Sequence, residues 1–286
     1  MKKISLLSGL LSLVLIYSAH AAEKKIRVVS LSPSLTETIY QLGKGDLLVG
    51  RSLVCDYPEA AKKLPVAGNF NQPNVERLAM TRPDYVVCTD FRDVSMITKL
   101  RALGMKVLVL RDKSIDSYFD CIKQLGKIMK CEDAAEKEIK RLKDGLARYQ
   151  KESDAIPLKK RPKVFFMLWD SPIMSIGKKS FLTKYISYAG GRSITAGITH
   201  DYFTSSLEYV LVKRPAVMIC PSMHVDKTKE FKLRTGWKEL PAVKNGRVYG
   251  GLNPDLMFRL GPRMLESIQV LKDCIYPEKS KKKEKK

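Results

Sequence analysis

Short apolar runs alternate with amphipathic stretches along most of the chain. Ile26-Arg27-Val28-Val29, Leu47-Leu48-Val49, Tyr85-Val86-Val87 and Lys106-Val107-Leu108-Val109-Leu110 are short and rich in branched residues, which predicts buried strands. Between them apolar residues recur three and four positions apart. Leu35, Ile39 and Leu42 are one such face, opened by Ser34 to Glu37 at capping-box spacing and stopped by Gly43. After Cys131 the pattern changes to a long charged helix reaching about Ser153, with Ile139, Leu142, Leu146 and Tyr149 as its stripe and Pro157 and Pro162 beyond its end. Some 22 residues at 1.5 Å each extend roughly 33 Å, about the width of a small domain. Val164-Phe165-Phe166-Met167-Leu168, Ala216-Val217-Met218-Ile219 and Arg247-Val248-Tyr249 then predict a second set of strands, and Pro262 to Cys274 a closing helix.

Strands alternating with helices on both sides of one long helix predict an α/β protein: two Rossmann-like α/β lobes joined by a long rigid helix, with a ligand cleft between the lobes. The expected boundaries are an N-terminal lobe over 22–130, a connecting helix over 131–155 and a C-terminal lobe over 156–276.

A repeat supports two lobes on one plan. Phe70, Glu76, Arg82 and Pro83 are matched by Tyr202, Glu208, Arg214 and Pro215, each 132 positions further on (70 to 202, 76 to 208, 82 to 214, 83 to 215). Each copy runs into an apolar stretch, Tyr85-Val86-Val87-Cys88 and Val217-Met218-Ile219-Cys220. Equivalent aromatics can then face each other across a cleft, and equivalent glutamates can occupy matching outer edges.

The first residues read as an export leader over 1–21: Lys2 and Lys3, an apolar run from Ile4 to Ile16, and Ala19-His20-Ala21 as a small-residue cleavage site. That run is shorter than the roughly 20 residues of a membrane span. The expectation is cleavage after Ala21 and a soluble exported protein. The formal net charge is +22. Part of it sits in a basic tail over 277–286, with Lys279, Lys281, Lys282, Lys283, Lys285 and Lys286 against Glu278 and Glu284, expected to be disordered because like charges repel and bury no core. Export and the absence of a nucleic-acid motif turn the basic character toward anionic envelope components rather than nucleic acid. Of the six cysteines, Cys121 and Cys131 are the first choice for a disulfide, from a helix to the start of the next.

No catalytic constellation stands out: there is no G-x-S-x-G, H-E-x-x-H, P-loop or G-x-G-x-x-G, and no C-x-x-C. An exported redox enzyme using Cys88, Cys220 or a histidine is a remote alternative. Binding fits better. Phe70, Tyr202 and Trp169 fall at strand ends or in loops, where α/β folds place ligands, and Asp56-Tyr57-Pro58 and Asn253-Pro254-Asp255 are loops that add polar contacts. Trp237 reads as a packing residue.

The run Val28-Val29-Ser30-Leu31-Ser32-Pro33-Ser34-Leu35-Thr36-Glu37, then Leu48-Val49-Gly50, Asp56-Tyr57-Pro58, Gly68, Asn74-Val75-Glu76 and Arg82-Pro83-Asp84, resembles the periplasmic solute-binding proteins of cobalamin, haem and ferric-siderophore ABC importers. Leu240-Pro241-Ala242-Val243-Lys244-Asn245-Gly246-Arg247-Val248-Tyr249 looks like the family's C-terminal signature, and the likeness covers nearly the whole chain between leader and tail. Its nearest likeness is to the cobalamin-binding members. It implies that Phe70 and Tyr202 flank a corrin, that Tyr57, Asp56, Asp255 and Arg259 belong to the cleft that the strand-end reading also gives Trp169, and that Glu76 and Glu208 dock on arginines of a permease dimer. The implied protein is a monomer carrying its ligand as cargo. The cobalamin-binding members have tryptophans where Phe70 and Tyr202 stand, and the cysteine partner of the Cys274 position is here Ala189. Haem is the rival ligand, with His200, Tyr202 or His224 as axial ligand; no other metal site is implied.

Overall fold

Strand β1 (Val28–Ser30) is buried at every residue because it lies between two parallel neighbours, β2 (Leu48–Arg51) and β3 (Tyr85–Cys88). The computed structural model describes residues 25–277 except positions 71 and 92. The expected leader and all of the basic tail but Pro277 lie outside the described residues. With β4 (Lys106–Val109) the first sheet has the order β2-β1-β3-β4, parallel throughout. Helices α1 (Pro33–Gln41), α2 (Val75–Thr81), α3 (Val94–Ala102) and α4 (Ile115–Ile128) complete this lobe. The long helix α5 (Glu132–Asp154) follows, at 23 residues.

The second lobe contains β5 (Lys163–Trp169), β6 (Met174–Ile176), α6 (Phe181–Tyr188), β7 (Arg192–Ser193), β8 (Tyr202–Thr204), α7 (Leu207–Lys213), β9 (Val217–Cys220), α8 (Val225–Glu230), α9 (Pro241–Lys244), β10 (Val248–Gly250), α10 (Pro254–Phe258) and α11 (Met264–Ile275). Its sheet has the order β10-β9-β5-β6-β8, with β7 also paired to β5. The β10, β9, β5 and β7 pairings are parallel, while β6 and β8 are antiparallel. The alternation along the sequence predicts a second lobe that repeats the first, and this antiparallel extension departs from it. The chain reverses in a tight turn over 170–173, and a reversal that short can only pair its strands antiparallel.

One apolar core crosses both lobes. Val28, Leu35 and Val87 of the first lobe, the α5 residues Ile139, Leu142, Leu146 and Tyr149, and Val164, Ile219 and Leu271 of the second belong to a single buried cluster. The outer face of each sheet has its own smaller core, around Leu78 and Leu100 in the first lobe and around Val210 and Trp237 in the second. The stripe that predicts α5 is therefore the seam of the molecule. Polar contacts follow the same seam: buried Glu138 takes both Arg141 donors at 2.6 and 2.7 Å, and Arg141 also donates to the Pro262 carbonyl at 2.8 Å.

Where α4 turns back into α5 the helices approach closely, and a Cβ on Gly126 would stand 2.6 Å from the Ala135 Cβ. That turn also decides the disulfide. The expected Cys121–Cys131 bridge is not formed, and all six cysteines are free thiols. The Cys131 N–H donates to the Gly126 carbonyl at 2.8 Å, and Gly126 already lies about 7.5 Å along the α4 axis from Cys121, so Cys131 lies further still. A disulfide needs Cα atoms within about 7 Å, and Cys121 faces the core.

The repeat is a structural one. Helices α2 and α7 have the same length and the same 132-residue offset at both ends (75 to 207, 81 to 213). Each is capped by a side chain, Asn74 accepting from the Arg77 N–H and Ser206 from the Tyr209 N–H. Each ends on an arginine in the left-handed region, Arg82 at φ 44° and Arg214 at φ 50°. The proline that follows disfavours the right-handed helical conformation at that arginine, so Arg-Pro stops the helix and leads into β3 or β9.

Candidate functional site

The parallel strands of both sheets end in loops that carry most of the polar and aromatic residues singled out from the sequence, as the strand-end rule for α/β sheets requires. After β2 come Leu53, Val54, Asp56 and Tyr57; after β3, Asp90; after β4, Asp112; after β5, Asp170; after β10, Asn253 and Asp255. Leu53, Val54, Tyr57, Trp169 and Tyr202 are all exposed large apolar side chains, and Trp169 and Tyr202 keep 58% and 50% of their surface open. Trp169 is the last residue of β5, with its indole N–H held by the Ser171 carbonyl at 3.0 Å. Tyr202 is the first residue of the edge strand β8. Burial raises the Tyr202 phenol above its ordinary range, Asp201 and Asp112 add to that, and the Ser180 hydroxyl opposes it.

Phe70 is half-buried in the loop before α2. That loop turns at Gly68, whose φ of +125° suits glycine and where a Cβ would meet the Asn74 nitrogen at 2.5 Å. The repeat thus places its two aromatics on unlike supports, a loop and a strand edge, because β8 belongs to the antiparallel extension that the first lobe lacks.

Asp56, Asp255 and Arg259 come together, but in an ion cluster that ties the lobes. The Arg259 Nη1 donates to Asp56 at 2.9 Å and to Glu37 at 3.1 Å, and its Nη2 pairs with Asp255 at 2.8 Å. Arg263 adds two bonds to Glu37 and lays its guanidinium 3.9 Å from the centre of the Tyr57 ring. Burial alone would raise the Asp56 carboxyl, but the bonded Arg259 outweighs it and holds Asp56 below the usual carboxylate range. The donors of Arg259 are spent on protein acceptors, whereas Asp56 and Asp255 remain partly open.

Glu37 was expected to close a capping box on Ser34. The helix instead starts two residues earlier, after Ser32, with no side-chain cap, and Ser34 donates to Asp112 at 2.7 Å. Asp112 joins the site although no sequence motif singles it out. Burial, reinforced by Asp90, raises its carboxyl against the opposing Ser34 bond, and its charge reaches Tyr202 in the other lobe. Its position just past the predicted strand Lys106 to Leu110 was the available signal. His200 and His224 are exposed, and no group of three or more metal-ligating side chains occurs among the described residues. Burial pushes the Cys88 and Cys121 thiols up to about 12, the reverse of what nucleophilic or redox use requires.

Glu76 and Glu208 lie outside this group. Both are exposed, and each is the second residue of its helix, α2 or α7. The backbone N–H and the Ser206 hydroxyl hold Glu208 below the usual carboxylate range.

Two lobes, one spanning helix and a cleft at the strand ends are matched by known proteins. Residues 28–253 match the periplasmic binding protein family. The chain belongs to that family. An uncharacterized ABC transporter substrate-binding lipoprotein of Bacillus subtilis is 30% identical over 257 residues, 88% of this chain and 80% of the relative. The crystal structure of the periplasmic vitamin B12-binding protein of Vibrio cholerae superposes with a TM-score of 0.73 at 27% identity, over 88% of this chain and 97% of that one. A possible iron-binding (periplasmic solute-binding) protein of Staphylococcus epidermidis gives 0.78 at 27% identity, over 87% and 98%. Among the described residues of this periplasmic binding protein, no helix is long and apolar enough to cross a membrane.

Proposed function

We propose that this chain is an exported receptor that captures cobalamin or a related corrinoid between its lobes and delivers it to an ABC importer, without chemistry on the ligand. The observation that carries this reading is the set of open aromatics on the strand-end loops and the β8 edge, Tyr57, Trp169 and Tyr202 with half-buried Phe70, together with the partly open carboxylates of Asp56 and Asp255. A corrin is broad, apolar on its faces and rimmed with amides. Aromatic walls bury its faces, and the carboxylates of Asp56, Asp112 and Asp255 accept from its amide N–H groups. The likeness to the vitamin B12-binding protein supports the same choice.

Haem binding is the second reading, and its support is half-exposed Tyr202 two residues from exposed His200. Under the leading reading, Glu76 and Glu208 register the loaded monomer on a permease dimer, and the leader over 1–21 is removed in the periplasm. Calorimetry on the Tyr202→Ala variant tests the aromatic wall: cyanocobalamin affinity falls about tenfold or more when an aromatic of this size is lost. Unchanged affinity removes Tyr202 from the wall. A Soret band formed with hemin and lost on substituting Tyr202 or His200 supports the haem reading instead.

A further inference from the structure

Helices α2 and α7 keep a second feature in common besides the glutamate. Met80 and Val212 are 81% and 78% exposed, among the most exposed large apolar side chains of the described residues. They lie at the same offset (80 to 212), four positions after Glu76 and Glu208. Residues four apart on a helix are neighbours on one face, so each lobe presents one carboxylate beside one apolar side chain.

Packing within the protein does not require this pair. Leu78 and Val210 are fully buried and anchor each helix to its sheet, and the half-buried Val75 and Leu207 assist them. The remaining exposed or half-exposed positions have diverged, Arg77 against Tyr209, Thr81 against Lys213, and exposed Ala79 against Leu211, which packs on the second-lobe core. What the two helices retain outside the core is an acid and, one turn later, an exposed apolar residue. Single exposed apolar residues are common and need no explanation. Two at equivalent positions, each beside a matched carboxylate, make a patch displayed twice.

We infer that Met80 and Val212 are apolar anchors of the docking surface, seated in two equivalent recesses of a two-fold symmetric permease, each recess flanked by a cationic side chain that receives Glu76 or Glu208. This rests on the docking role proposed for the glutamates and adds the partner's chemistry to it. A symmetric dimer necessarily offers each recess twice, which is what a duplicated patch on a single chain matches. The acidic points stand out on a chain of formal charge +22, so the partner surface that meets them is basic. The two components divide the work: charge sets encounter rate and register, while buried apolar area slows dissociation. Two small patches suit a transient contact that must release after delivery.

The test is binding kinetics of the full-length protein on the cobalamin-importer permease and ATPase complex of its own organism, held in lipid nanodiscs, at several salt concentrations. Burying a side chain of this size is worth about tenfold in affinity. The variant M80S/V212S, altered only at exposed positions and checked for an unchanged melting temperature, is expected to dissociate at least tenfold faster with an unchanged association rate. The variant E76Q/E208Q is expected to associate more slowly and with a weaker dependence on salt. If M80S/V212S dissociates at the original rate while E76Q/E208Q loses docking, the anchors are refuted and the glutamate reading stands. If E76Q/E208Q also binds as the original does, the docking role of this face is refuted, and the anchors with it.

Discussion

The Glu37 carboxylate accepts two bonds from Arg263, Nε to Oε2 and Nη2 to Oε1, both at 2.8 Å, although the residues belong to different lobes and lie 226 positions apart. Glu37 is almost fully buried, and a second arginine, Arg259, bonds to the same carboxylate. Removing one partner of a buried pair leaves uncompensated charge and costs about 3–5 kcal/mol. Glu37→Ala should therefore lower unfolding free energy by about 3 kcal/mol or more in urea denaturation. A loss under about 1 kcal/mol would mean that the cluster contributes little to joining the lobes.

The α4–α5 crossing gives a second prediction. Alanine is the better helix former, yet at Gly126 its Cβ meets the Ala135 Cβ, which has no rotamer to escape into. Gly126→Ala should destabilise by about 1–3 kcal/mol. Adding Ala135→Gly should recover part of that loss, since residues in contact are coupled. Additive effects of the two substitutions would show that the helices are not in contact there.

Asp112 predicts a pH dependence. Its carboxyl is raised from 3.8, so the folded chain holds that proton more tightly than the unfolded chain does. Stability from this group falls as pH rises from about 4 through the folded pKa, and the full penalty is present above both values. Asp112→Asn keeps an acceptor for Ser34 and removes the charge. Its melting temperature should exceed the original at pH 7, with the gap closing below about pH 4. A gap that is constant with pH would place the cause elsewhere.

Charge reversal at both docking positions separates delivery from capture. Glu76→Lys with Glu208→Lys should impair uptake in cells while leaving cyanocobalamin affinity in solution nearly unchanged, because both side chains are exposed and apart from the cleft loops. Equal losses in uptake and affinity would assign the glutamates to the ligand site.

Local pattern carried much of this architecture. The α5 stripe and the strand runs were legible because each depends on residues close in sequence, and the offset between Glu76 and Glu208 exposed the duplicated helix. What escaped was set by long-range contact. Glu37 has the spacing of a capping residue, and only the fold brings Arg259 and Arg263 to it. Asp255 and Arg259 resembled open cleft groups, whereas Arg259 is committed to Glu37, Asp56 and Asp255. Cys121 and Cys131 are close in sequence but separated along a helix axis, which spacing alone does not reveal. Tyr202 matches Phe70 in register, yet an edge strand paired antiparallel to β6 carries it.

Ligand identity is the claim on which the account turns, and parallel titration of cyanocobalamin and hemin into one preparation at micromolar protein addresses it directly. The account predicts saturable one-to-one binding of cyanocobalamin and weaker or no binding of hemin. Saturable hemin binding with a shifted Soret band, and no heat from cyanocobalamin, would contradict it.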